Sequence, residues 1–140
     1  MPINFKKVEY GELTSRQQEA YNFQKVSALL ADSGYVTIRL SDDWNGADFI
    51  AQHLDGTFLR VQLKGRLSFY EKYRDKQIYI CFRDNNHWYL YPHDEFLSQV
   101  LAEGYLAGTD SWEVHGGYSF PGIPKRLETL LEPYLVPEWH

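Results

Sequence analysis

Apolar residues recur along the chain with two different periodicities. Between residues 14 and 31 they follow the spacing of one helical face, whereas several later runs of four to eight residues are extended in character and bounded by Gly, Asn, Asp or Pro. The alternation of the two patterns predicts an α/β fold. The predicted helices are 14–31, 94–103 and 125–132, and the predicted strands are 35–40, 47–53, 57–64, 77–83 and 88–91.

The first predicted helix has signals at both of its ends. Thr14 and Ser15 both suit the N-cap, and Gln17 and Gln18 stand three residues after them, near a capping-box arrangement. Gly34 ends the helix. The face predicted to pack on the core begins with a carboxylate, and its members are Glu19, Phe23, Val26 and Leu30.

The second and third predicted strands form a hairpin around Asp55-Gly56, and its register decides which side chains share a face. A two-residue turn places Asp48 opposite Leu63, on the face that does not carry Gln62. A three-residue loop with Gly56 in the left-handed region places Asp48 opposite Gln62. The sequence leaves both registers open, and only the second brings the polar side chains together.

Other segments carry weaker signals. Residues 41–46 have the composition of a loop, residues 65–76 predict a loop with at most a short helical turn, and residues 105–122 predict no regular element. Asp94 is predicted to cap the second helix, while Pro124 suits the first turn of the last helix and Pro133 its end.

Length and composition point to one globular unit. The chain has 140 residues, 44% of them hydrophobic and 24% charged, which predicts a single domain over residues 1–140. We expect the predicted strands and helices to form a central mixed sheet flanked by helices. Cys81, the one cysteine, lies in an apolar run and is predicted to be a core residue. No segment approaches the roughly 18 apolar residues of a membrane span, so we expect a cytoplasmic protein without a membrane partner.

Charge is distributed unevenly along the chain. A formal net charge of −5 disfavours general coating of nucleic acid. The stretch from Arg60 to Lys76 is nevertheless basic, and it indicates a local basic surface, with a solvated loop as the alternative. The residues of this stretch that would hold a nucleic-acid backbone are Arg66, Lys72, Arg74 and Lys76.

The best candidates for chemistry are Asp48, Gln62 and Lys64. Alternate side chains of a strand share a face, so Gln62 and Lys64 point together while Val61 and Leu63 point into the core. A carboxylate and an amide oxygen are hard ligands suited to Mg²⁺, or to Mn²⁺, beside a substrate phosphate. A lysine next to them can assist the attacking water or neutralise charge on phosphorus.

At these residues the sequence resembles the PD-(D/E)XK nuclease superfamily, in a QxK variant. The text that carries the resemblance is Gly46-Ala47-Asp48-Phe49-Ile50 followed by Val61-Gln62-Leu63-Lys64. The resemblance covers about residues 14–66. It implies a restriction-endonuclease-like core with a remodelled second half, in which Asp48 and Gln62 are metal ligands and Lys64 is the catalytic lysine.

The resemblance also implies a function and a further residue. The implied function is metal-dependent hydrolysis of DNA phosphodiester bonds, and Glu19 matches the acidic residue that some members add from the first helix. The alternative for Glu19 is a carboxylate that interacts with the helix dipole. The alternative function is a noncatalytic nuclease-fold protein that acts as a protein-interaction or immunity-type module, and a homodimer or a larger protein partner is expected for so small a domain.

The histidines are predicted to serve structure rather than catalysis. They lie in or beside probable turns and lack the paired spacing of a metal site, so they are interpreted as surface or capping residues. These residues are His53, His87, His93 and His115.

Overall fold

The computed structural model describes residues 2–44 and 46–139. The strands are β1 (Tyr35–Trp44), β2 (Ala47–His53), β3 (Phe58–Leu63), β4 (Ser68–Tyr70), β5 (Ile78–Asp84), β6 (His87–Pro92) and β7 (Gly117–Ser119). The α-helices are α1 (Ser15–Ala31), α2 (His93–Ala102), α3 (Asp110–Glu113) and α4 (Lys125–Leu131).

Within the described residues, the main sheet has five strands in the order β1-β2-β3-β5-β6. The pairs are antiparallel except for β3 and β5, which run parallel, and β4 pairs with β7 in a separate two-stranded sheet. The predicted α/β class, with a central mixed sheet flanked by helices, is confirmed. No helix of the described chain has the length and apolar character needed to span a bilayer.

The sheet separates two apolar clusters. On one face α1 packs through Val26 and Leu30 against Phe49, Val61 and Cys81, all of them buried. On the other face the second half of the chain covers β5 and β6, and its buried side chains include Phe69, Phe96, Val100, Trp112, Leu127 and Leu131. Cys81 is a free, buried cysteine, as predicted, and burial raises the pKa of its thiol.

The signals predicted for the two ends of α1 are confirmed. The Thr14 hydroxyl accepts from the Gln17 N–H at 3.2 Å, and the Gln17 side chain accepts from the Thr14 N–H at 2.9 Å, which completes a capping box. Gly34 follows the helix at a φ of 87°. Glu19 differs from the prediction, because its side chain is 73% exposed and does not join the packed face.

The β2–β3 hairpin takes the three-residue loop. Phe49 pairs with Val61 and the His53 N–H donates to the Thr57 carbonyl at 2.8 Å, so the register that sets Asp48 opposite Gln62 is confirmed. Gly56 has a φ of 93°, the left-handed conformation that this loop requires.

Strand β1 is longer than the sequence predicts. The prediction of a loop at 41–46 is wrong for residues 41–44, which continue the strand, and Asn45 lies outside the described residues. The register of β1 against β2 shifts between Arg39, which faces Phe49, and Trp44, which faces Ala47. Because a bulge tolerates unpaired residues, a segment with the composition of a loop can still belong to a strand. Here residues 40–43 of β1 lie opposite a single residue of β2, Asp48.

The connection from β3 to β5 contains more structure than predicted. Residues 65–76 contain the short helical turn that the prediction allows, Glu71–Tyr73, and also β4, which it does not include. Residues 105–122 contain α3 and β7, where no element is predicted. The two unpredicted strands depend on each other, because β4 pairs with β7, from Ser68 with Ser119 to Tyr70 with Gly117.

The remaining elements deviate at their ends. Asn85 and Asn86 take φ values of 48° and 69° in the turn between β5 and β6, which pair antiparallel as a second hairpin. Helix α2 begins at His93 with Pro92 as its N-cap, so Asp94 lies in the first turn and is not the cap. Pro124 is the N-cap of α4, and Pro133 lies inside a 3-10 turn that continues the chain, Glu132–Tyr134.

Candidate functional site

A half-open cavity of about 690 Å³ lies where several strands of the main sheet end. Its floor is made by the beginning of β2 and the end of β3, and its walls include α1, β1, the end of β5 and the beginning of β6. The cavity is of the size that holds a small ligand or part of a chain. The four predicted site residues, Glu19, Asp48, Gln62 and Lys64, all line it.

Asp48 is held by the main chain of the neighbouring strand. The β2–β3 ladder ends at Phe49 and Val61, and beyond it the Asp48 Oδ2 accepts a hydrogen bond from the Leu63 N–H at 2.8 Å. A carboxylate thus takes the place of a main-chain carbonyl where the ladder stops. A charge-assisted bond of this kind orients the carboxylate, and it gives the Leu63 N–H an acceptor beyond the end of the ladder.

Gln62 and Lys64 project from the sheet face opposite α1. Val61 belongs to the cluster under α1, and alternation places Gln62 and Lys64 on the other face, as predicted. The Lys64 Nζ lies 4.6 Å from the centre of the Tyr70 ring and 5.6 Å from that of Tyr73. These rings attract the ammonium group through their electron-rich faces and hold it beside the end of β3.

Glu19 reaches the cavity from the other side. Its Oε2 lies 4.0 Å from the Arg39 Nη2, and both side chains are substantially exposed. Glu19 therefore lies on the rim, within the layer of α1, while Gln62 projects from the opposite face of the sheet. Neither the dipole interpretation nor the ligand interpretation of Glu19 accounts for its pairing with Arg39.

The described residues contain no group of three or more His, Cys, Asp or Glu side chains arranged to hold a metal ion. A ligand set built on the amide Gln62 falls outside such a group by its chemistry. The hard oxygens on the floor of the cavity are the Asp48 carboxylate and the Gln62 amide oxygen, and together they carry one negative charge. They fit a partial Mg²⁺ or Mn²⁺ ligand set that water and a substrate phosphate would complete.

The predicted DNA-binding residues are exposed but differ in their surroundings. Lys72 Nζ lies 5.5 Å from the Tyr70 ring and 5.3 Å from the Tyr73 ring, so it shares both rings with Lys64. Arg74 is 2.9 Å from Glu71 and its guanidinium lies 5.7 Å from the Trp112 ring. Lys72 therefore extends the positive charge of Lys64, whereas the charge of Arg74 is balanced locally.

Arg66 and Lys76 lie at the two ends of this connection. Arg66 is exposed next to the end of β3, and its carbonyl accepts from the Ser68 hydroxyl at 2.9 Å. Lys76 is exposed just before β5, where its carbonyl accepts from the Arg60 guanidinium at 3.3 Å. Of the four residues, Lys72 is thus the one that the contacts tie to Lys64.

Sequence reasoning missed residues that line the same cavity: Tyr10, Arg39, Asp42 and Arg83. The place of Arg83 at this site follows from the parallel pairing of β3 and β5, because the ends of parallel strands meet at one edge of a sheet. Leu63 pairs with Cys81 in the parallel register, which brings the residues after Leu63 and after Cys81 to the same edge. Nothing in the sequence signals that the segment before α1 reaches this edge through Tyr10.

His93 also departs from the prediction. It is 1% exposed and therefore neither a surface residue nor a cap. Its Nε2 accepts from the Tyr70 N–H at 2.9 Å, and its Nδ1 lies 2.8 Å from the Asp94 Oδ1. The buried ring joins α2 to β4, directly behind the tyrosine that contacts Lys64.

Comparison with protein-family models, curated proteins and solved structures found no match to this chain. Interpretation of the cavity therefore depends on its geometry and chemistry.

Proposed function

We propose that this chain is a metal-dependent nuclease that hydrolyses DNA phosphodiester bonds at the cavity floor. The observation that carries the proposal is the hairpin register, which sets Asp48 opposite Gln62, with Lys64 two residues further on and all three lining one cavity. The resemblance of these residues to the PD-(D/E)XK motif supports the same function.

Asp48 and Gln62 would hold Mg²⁺ or Mn²⁺ through their oxygens. The Leu63 N–H fixes the orientation of the Asp48 carboxylate before any ligand binds. A bound metal ion would supply electrostatic stabilisation of the charge that develops on the phosphate oxygens.

Lys64 would act on the phosphate or on the attacking water. In hydrolysis a water gives up a proton as its oxygen bonds to phosphorus, the bond from phosphorus to one strand oxygen breaks, and that leaving oxygen takes up a proton. The ammonium of Lys64, held 4.6 Å from the Tyr70 ring, can neutralise the charge that accumulates during this exchange. Lys72 on the same pair of rings would attract the DNA backbone toward it, with Arg66, Arg74 and Lys76 around it.

The noncatalytic alternative has its own support. An amide at position 62 contributes no charge to metal binding, and a net charge of −5 disfavours a broad nucleic-acid surface. In that case the same cavity and basic residues would serve recognition of a protein partner.

Conservative variants of Asp48, Gln62 and Lys64 test the proposed nuclease activity. Asp48→Asn removes the charge but keeps an oxygen that can accept the Leu63 N–H, whereas Asp48→Ala would also leave that donor unsatisfied. We expect Asp48→Asn and Lys64→Gln to lose about 100-fold or more of the Mg²⁺-dependent cleavage rate, the scale of removing one group that stabilises the transition state. Gln62→Glu should tighten Mg²⁺ binding in calorimetric titration, because a carboxylate replaces an amide.

The matched control is Asp55→Asn, at the far end of the same hairpin. The Asp55 carboxylate accepts from the Thr57 N–H and hydroxyl and is not part of the cavity, so this variant should cleave like the wild type. Assays with single-stranded and duplex DNA, with either metal or a chelator, complete the test. A folded wild type that cleaves none of these substrates in Mg²⁺ or Mn²⁺ would favour the noncatalytic alternative.

A further inference from the structure

Arg83 lies near the end of β5 and lines the same cavity as the proposed site. Its guanidinium lies 4.6 Å from the centre of the Tyr10 ring and 5.9 Å from the Trp88 ring, and the residue is half-buried. Tyr10 is itself fixed, because its hydroxyl accepts from the Asn22 amide at 3.0 Å and its carbonyl accepts from the Gln18 amide at 3.2 Å. Two aromatic side chains thus position the guanidinium at the cavity wall.

Contacts with aromatic rings leave the hydrogen-bonding capacity of a guanidinium largely unused. Arg has five N–H donors at the edge of a planar group, and ring faces satisfy them poorly. Among the residues whose side chains the structure describes, no carboxylate lies within 4.0 Å of the Arg83 guanidinium, whereas Arg39, which lines the same cavity, lies 4.0 Å from Glu19. Arg83 therefore has the chemistry of a bidentate anion site that faces a cavity.

The anion that suits this position belongs to a strand bound across the floor. Arg83 and the Asp48, Gln62 and Lys64 group line one cavity of about 690 Å³, which is large enough for a short piece of a single strand. The chain as a whole carries a net charge of −5, so affinity for such a strand must come from local cations.

We propose that Arg83 binds a phosphate of a single nucleic-acid strand, next to the phosphate that lies over Asp48 and Lys64. This assignment rests on the proposed nuclease function and adds to it a residue for substrate binding. The contacts of Arg83 with Tyr10 also make the segment before α1 part of the substrate site.

Binding measured without metal tests the assignment separately from catalysis. The probe is a fluorescein-labelled hexathymidylate, and its anisotropy is followed in chelator at several KCl concentrations. We expect Arg83→Gln to weaken binding at low salt by about 10- to 100-fold, the scale of one charge-assisted pair. The slope of log affinity against log salt should fall by about 0.7, the value for one phosphate contact of a single strand.

Two further variants make the result specific. Arg126→Gln removes the same charge from α4, away from the cavity, and should leave both affinity and slope unchanged. Arg83→Lys should keep most of the slope and lose part of the affinity, because an ammonium keeps the charge and cannot bind an anion as a planar fork. Circular dichroism of each variant establishes that it is folded, and Arg83→Lys carries the test if Arg83→Gln does not fold.

The outcomes separate this assignment from the nuclease proposal. A wild type that cleaves DNA, with an Arg83→Gln variant whose affinity and slope are unchanged, would overturn the assignment and leave the nuclease intact. A wild type that never cleaves, but whose salt slope depends on Arg83 and not on Arg126, would support Arg83 as a strand-binding residue and count against the enzyme. Absence of hexathymidylate binding by the wild type at low salt would overturn the assignment.

Discussion

Replacing His93 with Ala is expected to lower the free energy of unfolding by about 3–5 kcal/mol. The change removes the acceptor of the Tyr70 N–H, and an unsatisfied buried donor costs about 1–3 kcal/mol. It also empties the space of a ring that is 1% exposed and lies 5.9 Å from Phe69 and 5.7 Å from Tyr73 between ring centres, and truncations of this size cost about 2–5 kcal/mol. The two costs overlap in part, so we expect less than their sum.

The same residue is expected to make stability depend on pH. Burial lowers the pKa of His93 below 6.5, and Arg74 acts in the same direction, while the hydrogen bond and charge of Asp94, together with Glu71, act against it. The unfolded chain therefore takes up a proton at a higher pH than the folded chain does. Stability should be fully present above about pH 6.5 and fall as the pH drops toward the pKa of the folded state.

Asp94 titrates in a different window. Burial raises its pKa, but hydrogen bonds from His93 and from the Asp75 N–H outweigh this effect and leave the pKa below 3.8. Its contribution to stability is present above pH 3.8 and is lost only in more acidic solution. A comparison between about pH 5 and about pH 7.5 therefore reports on His93 rather than on Asp94.

Urea unfolding followed by tryptophan fluorescence measures both effects. The control variant is His93→Gln, because its amide oxygen can accept the Tyr70 N–H but does not titrate. The wild type should lose more stability than His93→Gln between pH 7.5 and pH 5. Equal losses in the two proteins, or a His93→Ala cost below about 1 kcal/mol, would refute the reasoning.

Two further comparisons use matched positions. Lys72→Gln should flatten the salt dependence of duplex DNA affinity by about one unit of slope, and Arg74→Gln should flatten it less, because Arg74 is 2.9 Å from Glu71; equal effects would contradict this ranking. Gly46→Ala and Gly56→Ala should each cost about 1–2 kcal/mol for a left-handed backbone, at φ values of 91° and 93°. Gly46→Ala should cost more in urea unfolding, since its new methyl group would lie 2.9 Å from the Tyr73 ring, whereas nothing lies within 4 Å at Gly56.

The first half of the fold could be predicted from the sequence because its signals are local. The capping box of α1 involves residues three apart, and the turn around Gly56 predicts the hairpin. The sequence leaves two registers of this hairpin open, and the pairing of Phe49 with Val61 in the structure decides between them. That pairing decided whether Asp48 and Gln62 lie opposite each other.

In the second half, the elements β5, β6, α2 and α4 could be predicted, but β4, α3 and β7 could not, because the signals that decide them are distant in the sequence. Strand β4 has three residues and becomes a strand only by pairing with β7, which no local periodicity reveals. The burial of His93 likewise depends on Phe69 and Tyr73, which belong to the connection between β3 and β5. Arg83 required knowledge that β3 and β5 run parallel, since only then do their ends meet at one edge.

These distant contacts bear directly on the candidate site. Lys64 follows directly on the hairpin. Its ammonium lies over the rings of Tyr70 and Tyr73, and these residues belong to the connection between β3 and β5. Tyr70 is held by its N–H bond to His93, and Tyr73 is buried in the core of the second half. The hairpin thus supplies the residues of the proposed site, while the packing of the second half positions the lysine among them. Residues 46–64 alone therefore give the residues of the proposed site but not the surroundings that hold Lys64 in place.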